Sequence, residues 1–319
     1  MLEVPEPLPS PNDVIIELKA AALNHRDVWI QKGLYPGLNL AVTLGSDGCG
    51  VVKACGSQVS EEWLNKAVII NPSIEWGIDE NVHDANFKIL GLPEDGTFAE
   101  CVRVPSSNIY PKPKHLTFEQ AAALPLAGLT AYRALFSRAK LKPGEKILIT
   151  GIGGGAALMA MQFALAAKAN VYVTSSSNEK LQKAAQFGVK AGFLYTDSKW
   201  QEKVMKEVEG FDVIVDSAGG ENFDKLISLA NPSGRIVTFG ATAGTVKEIN
   251  IRKLFWKQLS ILGTTMGSAN DFENMLKFVK KHKIVPIIDS NFLLQEAEFA
   301  MRKMERGEQF GKIVLKITN

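Results

Sequence analysis

An α/β protein is predicted from this sequence: a β-rich first part, then a doubly wound parallel sheet covered by helices. Three observations predict it. The first third carries short apolar runs punctuated by Gly and Pro. From Lys146 onward, near-continuous apolar runs alternate with helical stretches, the pattern of strands buried on both faces. A glycine-rich turn, Gly151–Gly155, joins the first of those runs to the first of those helices.

The β-rich part is read from Asp13–Leu18, which alternates, and from Gly50–Lys53, Ala67–Asn71 and Phe98–Val104. Asn24–Gln31 has helical composition. Thr117 and Gln120 form a capping-box pattern that opens an Ala-rich helix, and Leu126–Ser137 is expected to be another. The alternation then runs through strands Lys146–Thr150, Val171–Thr174, Gly192–Tyr195, Asp212–Asp216, Arg235–Phe239 and Leu259–Gly263. Helices are expected between them at Ala156–Lys168, Glu179–Phe187, Trp200–Val208 and Asn222–Leu229. Helices at Asp271–Lys281 and Leu294–Glu305 and a strand at Lys312–Lys316 end the chain.

Composition bounds the function. The 319 residues suffice for two domains, and 46% hydrophobic with 22% charged residues is ordinary for a water-soluble globular protein. A formal net charge of +2 gives no reason to expect nucleic acid or acidic substrates. The densest basic run, Lys280–Lys283, reads as a solvated helix end. Three cysteines, Cys49, Cys55 and Cys101, make no disulfide framework, so a reducing cytoplasm is expected. Met1–Pro7 is acidic and Pro-rich and does not read as a signal peptide, and no run is long and apolar enough for a membrane span.

The glycine turn carries the chemistry. A strand that turns sharply into a helix presents free N–H groups and a positive dipole end, which suits a pyrophosphate. Side chains at the turn would block that approach, so Gly151, Gly153, Gly154 and Gly155 are needed, with Ala156 small enough for helix packing. Tight turns also use glycine without any ligand. Here a strand precedes, a helix follows, and a second strand comes ~20 residues later, the context expected of a Rossmann dinucleotide site. The tip of that second strand holds Thr174-Ser175-Ser176-Ser177 with no carboxylate, and Asn178-Glu179-Lys180 follows. Hydroxyls and a lysine suit a 2′-phosphate, so NADPH is favoured over NADH.

With those motifs the chain resembles the medium-chain dehydrogenase/reductase superfamily, in particular its zinc-free quinone-oxidoreductase-like branch. The marks extend over nearly the whole chain: Asn24-His-Arg-Asp-Val-Trp29, Gly33-Leu-Tyr35-Pro, Leu44-Gly-Ser-Asp-Gly-Cys-Gly50, Gly96-Thr-Phe-Ala-Glu-Cys101, Ala123-Leu-Pro-Leu-Ala-Gly-Leu-Thr130, Val215-Asp-Ser217, Phe239-Gly-Ala241 and Gly311-Lys-Ile-Val-Leu315. The resemblance implies a GroES-like β-rich domain over 1–127, a Rossmann domain over 128–267 and a segment over 268–319 that returns to the first. It also implies an active site in the cleft between the two domains. Members usually carry a further strand before the first one here, so an open sheet edge is implied too.

The resemblance assigns residues. Asn24 and Thr130 would lie near the nicotinamide. Gly154, Gly155 and Ala156 would meet the pyrophosphate, and Ser176, Lys180 and Tyr195 the adenosine phosphate, with Ser175 beside them. Ser217, Gly240, Ala241, Thr265 and Met266 would line the remaining channel, and Lys312 would close over it. A strand-end aromatic at Tyr195 and a strand-end hydroxyl at Thr265 also have ordinary structural explanations.

Zinc-dependent members place metal ligands at the positions of Asn24, Ser46 and Leu126. Asn, Ser and Leu do not make a zinc site, and the stretch Asn71–Gly96 has no cysteine for a second, structural zinc. No metal is therefore expected. His25 and Asp47 are read as hydrogen-bonding or surface residues, and Asp27 as a helix cap or ion-pair partner.

Without a metal to lower an alcohol's pKa, reduction of a quinone or α,β-unsaturated carbonyl by NADPH is the favoured chemistry. Tyr35 and Arg26 are candidate donors to the developing oxyanion, with Asn24 as an orienting amide. Trp29 stands where related reductases often carry Tyr, which leaves one donor fewer. Ser73–Gly91, with Trp76 and Phe87, is read as a metal-free lobe for packing, dimerisation or substrate contact. The expected partners are a small carbonyl or quinone and, from the resemblance alone, a second copy; neither nucleic acid nor membrane is expected. Two alternatives stay open: an NADP(H)-binding protein with little turnover, and a zinc alcohol dehydrogenase.

Overall fold

The structure is a computed structural model and describes residues 2–38 and 42–317. The chain divides into two units, residues 1–129 with 267–319, and residues 130–266.

In the first unit β1 (Asp13–Ala22) is the organising strand. It is buried along most of its length because its apolar residues face a core on both sides. α1 (His25–Gln31) follows directly, and Asp27 in its first turn accepts the N–H of the N-cap Asn24. β2 (Asp47–Cys55), β3 (Ala67–Ile70) and the short pair β4 (Ser73–Ile74) and β5 (Lys88–Ile89) come next. β6 (Cys101–Pro105), β7 (Ile109–Pro111), α2 (Phe118–Ala122) and α3 (Pro125–Tyr132) complete this part. The expected capping box at Thr117 is present.

β2 lies antiparallel along one edge of β1, from Val14↔Cys55 to Ala22↔Asp47. β6 covers the first half of the other edge. One core cluster gathers Ile16, Leu18, Leu23, Val52, Val68, Ile70 and Val102 with Met301, Ile313 and Leu315 from the far end of the chain.

The expected helix Leu126–Ser137 is in fact α3 followed by a π-helical turn, Arg133–Arg138. There the N–H of Ala139 reaches back to Ala134 O at 3.0 Å, one residue further than in an α-helix.

The second unit is the predicted alternation. Its strands are β8 (Lys146–Ile149), β9 (Asn170–Ser175), β10 (Ala191–Leu194), β11 (Phe211–Asp216), β12 (Ala230–Thr238) and β13 (Ser260–Gly263). Its helices are α4 (Gly155–Ala166), α5 (Asn178–Ala185), α6 (Trp200–Val208), α7 (Phe223–Leu229) and α8 (Ile251–Trp256). All six strands pair in parallel in the order β10-β9-β8-β11-β12-β13, the order of a Rossmann sheet. α4 is built from Ala, Leu, Met and Phe, and most of it is buried, which is why so little of it is polar. β12 starts earlier than expected, because Asn231-Pro-Ser-Gly234 reads as a turn yet lies in the strand after a register shift.

The chain then returns to the first unit through α9 (Ala269–His282), β14 (Ile288–Leu293), α10 (Ala297–Glu305) and β15 (Lys312–Lys316). β15 pairs antiparallel with the second half of β1, Ala20↔Lys316 to Ala22↔Val314, and β14 lies parallel to β15. β14 escaped prediction because it is a half-exposed outer strand whose Asp289-Ser-Asn291 interrupts any apolar alternation.

Candidate active site

The polar groups that stand out in the second unit lie at one edge of its sheet. Because the strands are parallel, every strand ends on that edge. β8 ends at Ile149 and runs through Thr150 into Gly151 (φ +66°) and Gly153 (φ +126°), conformations that favour glycine. The turn is stapled to the end of β9. Gly151 donates its N–H to Thr174 Oγ1 at 3.3 Å, and Ile152 donates to Thr174 O at 2.8 Å. The Ile152 side chain is buried below it.

A Cβ built on Gly151 or Gly154 would meet nothing within 4 Å, so the outer side of the turn is open there. Gly154 is the N-cap of α4 and supplies no side chain to the helix's first N–H groups. Open space before uncapped donors at a helix N-terminus is what a pyrophosphate requires. Ala156 lies in the first turn of that helix. The residues present fit a dinucleotide cofactor.

The tip of β9 is more differentiated than the run of three serines suggested. Ser175 is buried; its hydroxyl lies 3.4 Å from Ile152 O and accepts the Ser177 N–H at 3.2 Å. It therefore ties the turn together from inside. Ser176 is exposed, Lys180 is half-buried in the first turn of α5, and Tyr195 is exposed at the end of β10 with its N–H on Ser175 O at 3.1 Å. The structure thus brings Ser175, Ser176, Lys180 and Tyr195 to neighbouring strand ends.

Across the point where strand order reverses, Asp216 ends β11. It accepts from the Thr150 hydroxyl at 2.6 Å and from the Gly219 N–H at 2.8 Å. No ligand motif contains this residue; its signal in the sequence is a carboxylate closing an apolar strand that is largely buried, where only a partnered one is tolerated. Ser217 follows it. Gly240 approaches so closely that a Cβ there would lie 2.6 Å from Ser217 O. Ala241 and Thr265 are exposed beyond β12 and β13, and Met266 is buried in a left-handed conformation (φ +37°). Thr130 is buried in α3.

In the first unit the structure assembles a second polar group at the start of α1. Asn24 Nδ2 donates to Asp47 Oδ2 at 2.9 Å. The Lys312 ammonium donates to Asn24 Oδ1 at 2.6 Å and to Asp47 Oδ2 at 2.8 Å. Asp47 Oδ1 accepts the N–H of Leu126 at 2.8 Å. Asn24, Asp47 and Lys312 are all at least nine-tenths buried. Asp47 is therefore the hub of the group, in the hydrogen-bonding role rather than the surface role. Lys312 points into the first unit and is engaged there by two partners.

Arg26, expected as a donor, is likewise turned inward. Its Nη1 donates to Ser46 Oγ at 2.6 Å and to Leu90 O at 2.8 Å, and Ser46 donates to Leu90 O at 2.7 Å. These bonds pin the lobe between β4 and β5 to the start of β2. The guanidinium lies 5.0 Å from the ring centre of Tyr35, which is half-buried. Tyr35 thus keeps an ordered place beside Arg26 while its own environment stays partly open. Asp27 accepts the Asn24 N–H at 2.7 Å and is fully buried, and burial raises its carboxyl to about 6. His25 is exposed at the start of α1. In the lobe, Trp76 packs edge-on against Phe87 (5.3 Å) and His83 (5.8 Å), and its indole N–H reaches Asp79 O at 3.0 Å.

Comparison with known proteins bears on this arrangement. Residues 10–114 match the alcohol dehydrogenase GroES-like domain, and residues 155–281 match the zinc-binding dehydrogenase domain. The zinc-type alcohol dehydrogenase-like protein YogA of Leptosphaeria maculans is 37% identical over 98% of this chain and 93% of its own. The quinone oxidoreductase of Mus musculus is 29% identical over 98% of this chain and 92% of its own. A crystal structure of an NAD-dependent alcohol dehydrogenase superposes with a TM-score of 0.94 at 36% identity, covering 99% of this chain and 95% of that one.

The zinc in two of these descriptions does not fit the residues here. The amide of Asn24 and the hydroxyl of Ser46 are engaged with Asp47, Lys312, Arg26 and Leu90, and Leu126 contributes only its backbone N–H. A metal cation at this point would meet the Lys312 ammonium. Among the described residues no group of three or more His, Cys, Asp or Glu could hold a metal ion. Among them, too, no helix is long and apolar enough to cross a membrane. With both domain models matched in order and a relative of 37% identity along almost its whole length, the chain belongs to the medium-chain dehydrogenase/reductase superfamily, a family of nicotinamide-dependent oxidoreductases.

Proposed function

We propose that this protein is a zinc-independent, NADPH-dependent oxidoreductase that reduces a quinone or an α,β-unsaturated carbonyl. The observation that carries the reading is the open, uncapped glycine turn beside the end of β9, where Ser175-Ser-Ser177 carries no carboxylate, with Lys180 in the first turn of α5 and Tyr195 after β10. When bound, the nicotinamide supplies the hydride. The chain's part is to hold and to orient. Gly151, Gly153, Gly154, Gly155 and Ala156 cradle the pyrophosphate. Ser176, Lys180 and Tyr195 take the 2′-phosphate end, with Ser175 bracing the turn from within. Thr130, Ser217, Gly240, Ala241, Thr265 and Met266 line the path of the dinucleotide.

On the substrate side, Asn24 and Tyr35 are hydrogen-bond donors for the carbonyl oxygen as it gains negative charge. Arg26 supports Tyr35 through the ring contact. A quinone is itself a conjugated enedione, so one donor arrangement serves both substrate types, and the resemblance to a quinone oxidoreductase agrees with this. A cytoplasmic location belongs to the same reading, supported by three unpaired cysteines. So does a homodimer, supported by β13 at the edge of its sheet and by exposed Ile251, Phe255 and Trp256 on the adjoining α8.

The competing reading is NAD-linked alcohol oxidation, favoured by the structure that superposes at 0.94. Initial rates with NADPH and NADH against a quinone, an enone and a panel of simple alcohols separate the two. Turnover of NADPH with the quinone or enone is expected; inert quinones and enones with active alcohols would sink the proposal. NADPH binding without turnover of any acceptor would establish the mere binding protein instead.

A further inference from the structure

We propose that the buried ion pair Asp47–Lys312 is a clamp whose task is to fix the carboxamide of Asn24, so that Lys312 and Asp47 are positioning residues for the reaction. The inference deepens the reading above and rests on Asn24 serving the reacting groups.

The chemistry of the three partners leaves one arrangement. An ammonium only donates and a carboxylate only accepts. Asn24 must therefore turn its oxygen to Lys312, at 2.6 Å, and its nitrogen to Asp47, at 2.9 Å. The third side of the triangle is the ion pair itself at 2.8 Å, with side chains 4% and 0% exposed. Asp47 is held in turn by the Leu126 N–H at 2.8 Å. An amide with a neutral neighbour on each side can flip at little cost. This one cannot, because a flip would put its N–H against an ammonium and its oxygen against a carboxylate. One Nδ2 hydrogen of Asn24 is used on Asp47, and the second remains as a donor of defined direction.

A buried pair of this kind is a poor way to gain stability. Well-packed apolar residues do at least as well, so a specific geometric task is the better explanation. The pair also supplies a fixed positive charge at the point where zinc-dependent relatives carry a metal, balanced by Asp47 so that no net charge is buried. The clamp joins residues from three parts of the chain: Asn24 before α1, Asp47 at the start of β2 and Lys312 at the start of β15.

The test is a set of variants read by thermal midpoint, NADPH affinity and kcat. Asp47→Asn/Lys312→Met removes both charges at nearly constant volume. It is expected to keep the fold and to hold the NADPH Kd within about threefold, while kcat falls ~10–100-fold, the usual cost of losing an orienting partner. Adding Asn24→Ala to that variant should cost less than about threefold more, because the pair acts only through Asn24. Lys312→Met alone should lower the thermal midpoint sharply by stranding Asp47.

Full kcat in the double-neutral variant would make the pair merely structural and overturn the proposal. So would multiplicative losses with Asn24→Ala, or a rise in NADPH Kd matching the fall in kcat, which would place Lys312 on the cofactor itself. Should the double variant not fold, Lys312→Arg replaces it: the longer guanidinium should displace Asn24 and lower kcat at unchanged NADPH affinity, and an unchanged kcat overturns the clamp. If the wild type oxidises alcohols and ignores quinones and enones, the substrate reading fails, and the same cycle run on the alcohol still tests the clamp. If nothing turns over, a crystal structure of the double-neutral variant decides: Asn24 should leave its present position, and an unmoved Asn24 overturns the proposal.

Discussion

Asp27→Asn should change how stability depends on pH, in a direction the structure dictates. Asp27 is fully buried, with one oxygen on the Asn24 N–H at 2.7 Å and the other, Oδ1, without a partner. Burial raises its carboxyl to about 6, against the opposing pull of that hydrogen bond and of the charges on Arg26 and Lys312; Asp47 pushes the same way as burial. The native protein thus holds this proton more tightly than the unfolded chain, whose carboxyl titrates near the ordinary 3.8. The stability associated with the proton is complete below pH 3.8 and is lost as pH rises through about 6. The interval is worth roughly 3 kcal/mol at about 1.4 kcal/mol per pH unit.

Asparagine cannot ionise, and its oxygen can still accept the Asn24 N–H. Its amide hydrogens bring a constant cost of about 1–3 kcal/mol where Oδ1 has no partner, but that cost does not vary with pH. The variant should therefore gain on the wild type by roughly 2.5 kcal/mol between pH 4 and pH 7.5. Urea unfolding of both proteins at four pH values in that range measures it, with the slopes compared to confirm a common transition. A stability difference that stays flat across the range would show that Asp27 titrates normally in the fold. A difference of opposite sign would show that its ionised form is the one the fold stabilises.

Three further outcomes are expected. Gly154→Val should leave stability within about 0.5 kcal/mol, because its backbone is extended and a Cβ there meets nothing, yet weaken NADPH more than about tenfold by occupying the cofactor's approach; unchanged affinity by fluorescence titration would remove the turn from the site. Lys180→Ala should weaken NADPH by ~10–100-fold, the worth of a hydrogen bond to a charged group, and leave NADH unchanged; equal losses for both cofactors would refute its contact with the 2′-phosphate. Trp76→Ala should cost ~3–5 kcal/mol, since the buried indole fills the lobe against Phe87 and His83; an unfolding midpoint equal to that of the wild type would show that the lobe does not depend on its aromatic centre.

Much of the second unit was legible in the sequence because its signals are local. A strand buried on both faces is an apolar run, a helix over it has its own period, and a turn that must adopt positive φ shows its glycines. Chain order then places the loops after β8, β9, β10, β11, β12 and β13 on one sheet edge, since parallel strands leave no other choice. The turn Gly151–Ala156 and the stretch Ser175–Lys180 were located this way, whereas Tyr195, Ser217 and Gly240 were assigned from the resemblance. Asp216 was missed although the same logic reached it, because its task is to brace Thr150 and Gly219 and no ligand motif contains it.

The sequence by itself determined the superfamily, the strand–helix alternation of the second unit and the place of the glycine turn. Only the tertiary structure decided what the polar side chains do. Lys312 lies 288 residues from Asn24 and 265 from Asp47, so no window of sequence holds the triangle they form. Ser175 looked like its two neighbours in sequence and is the one turned inside. Arg26 looked like a donor and is drawn inward by Ser46 and Leu90 O. The physical reason is common to all of these. An apolar residue needs only to be buried, which its spacing announces, whereas a buried polar residue needs a particular partner, and that partner arrives by long-range packing.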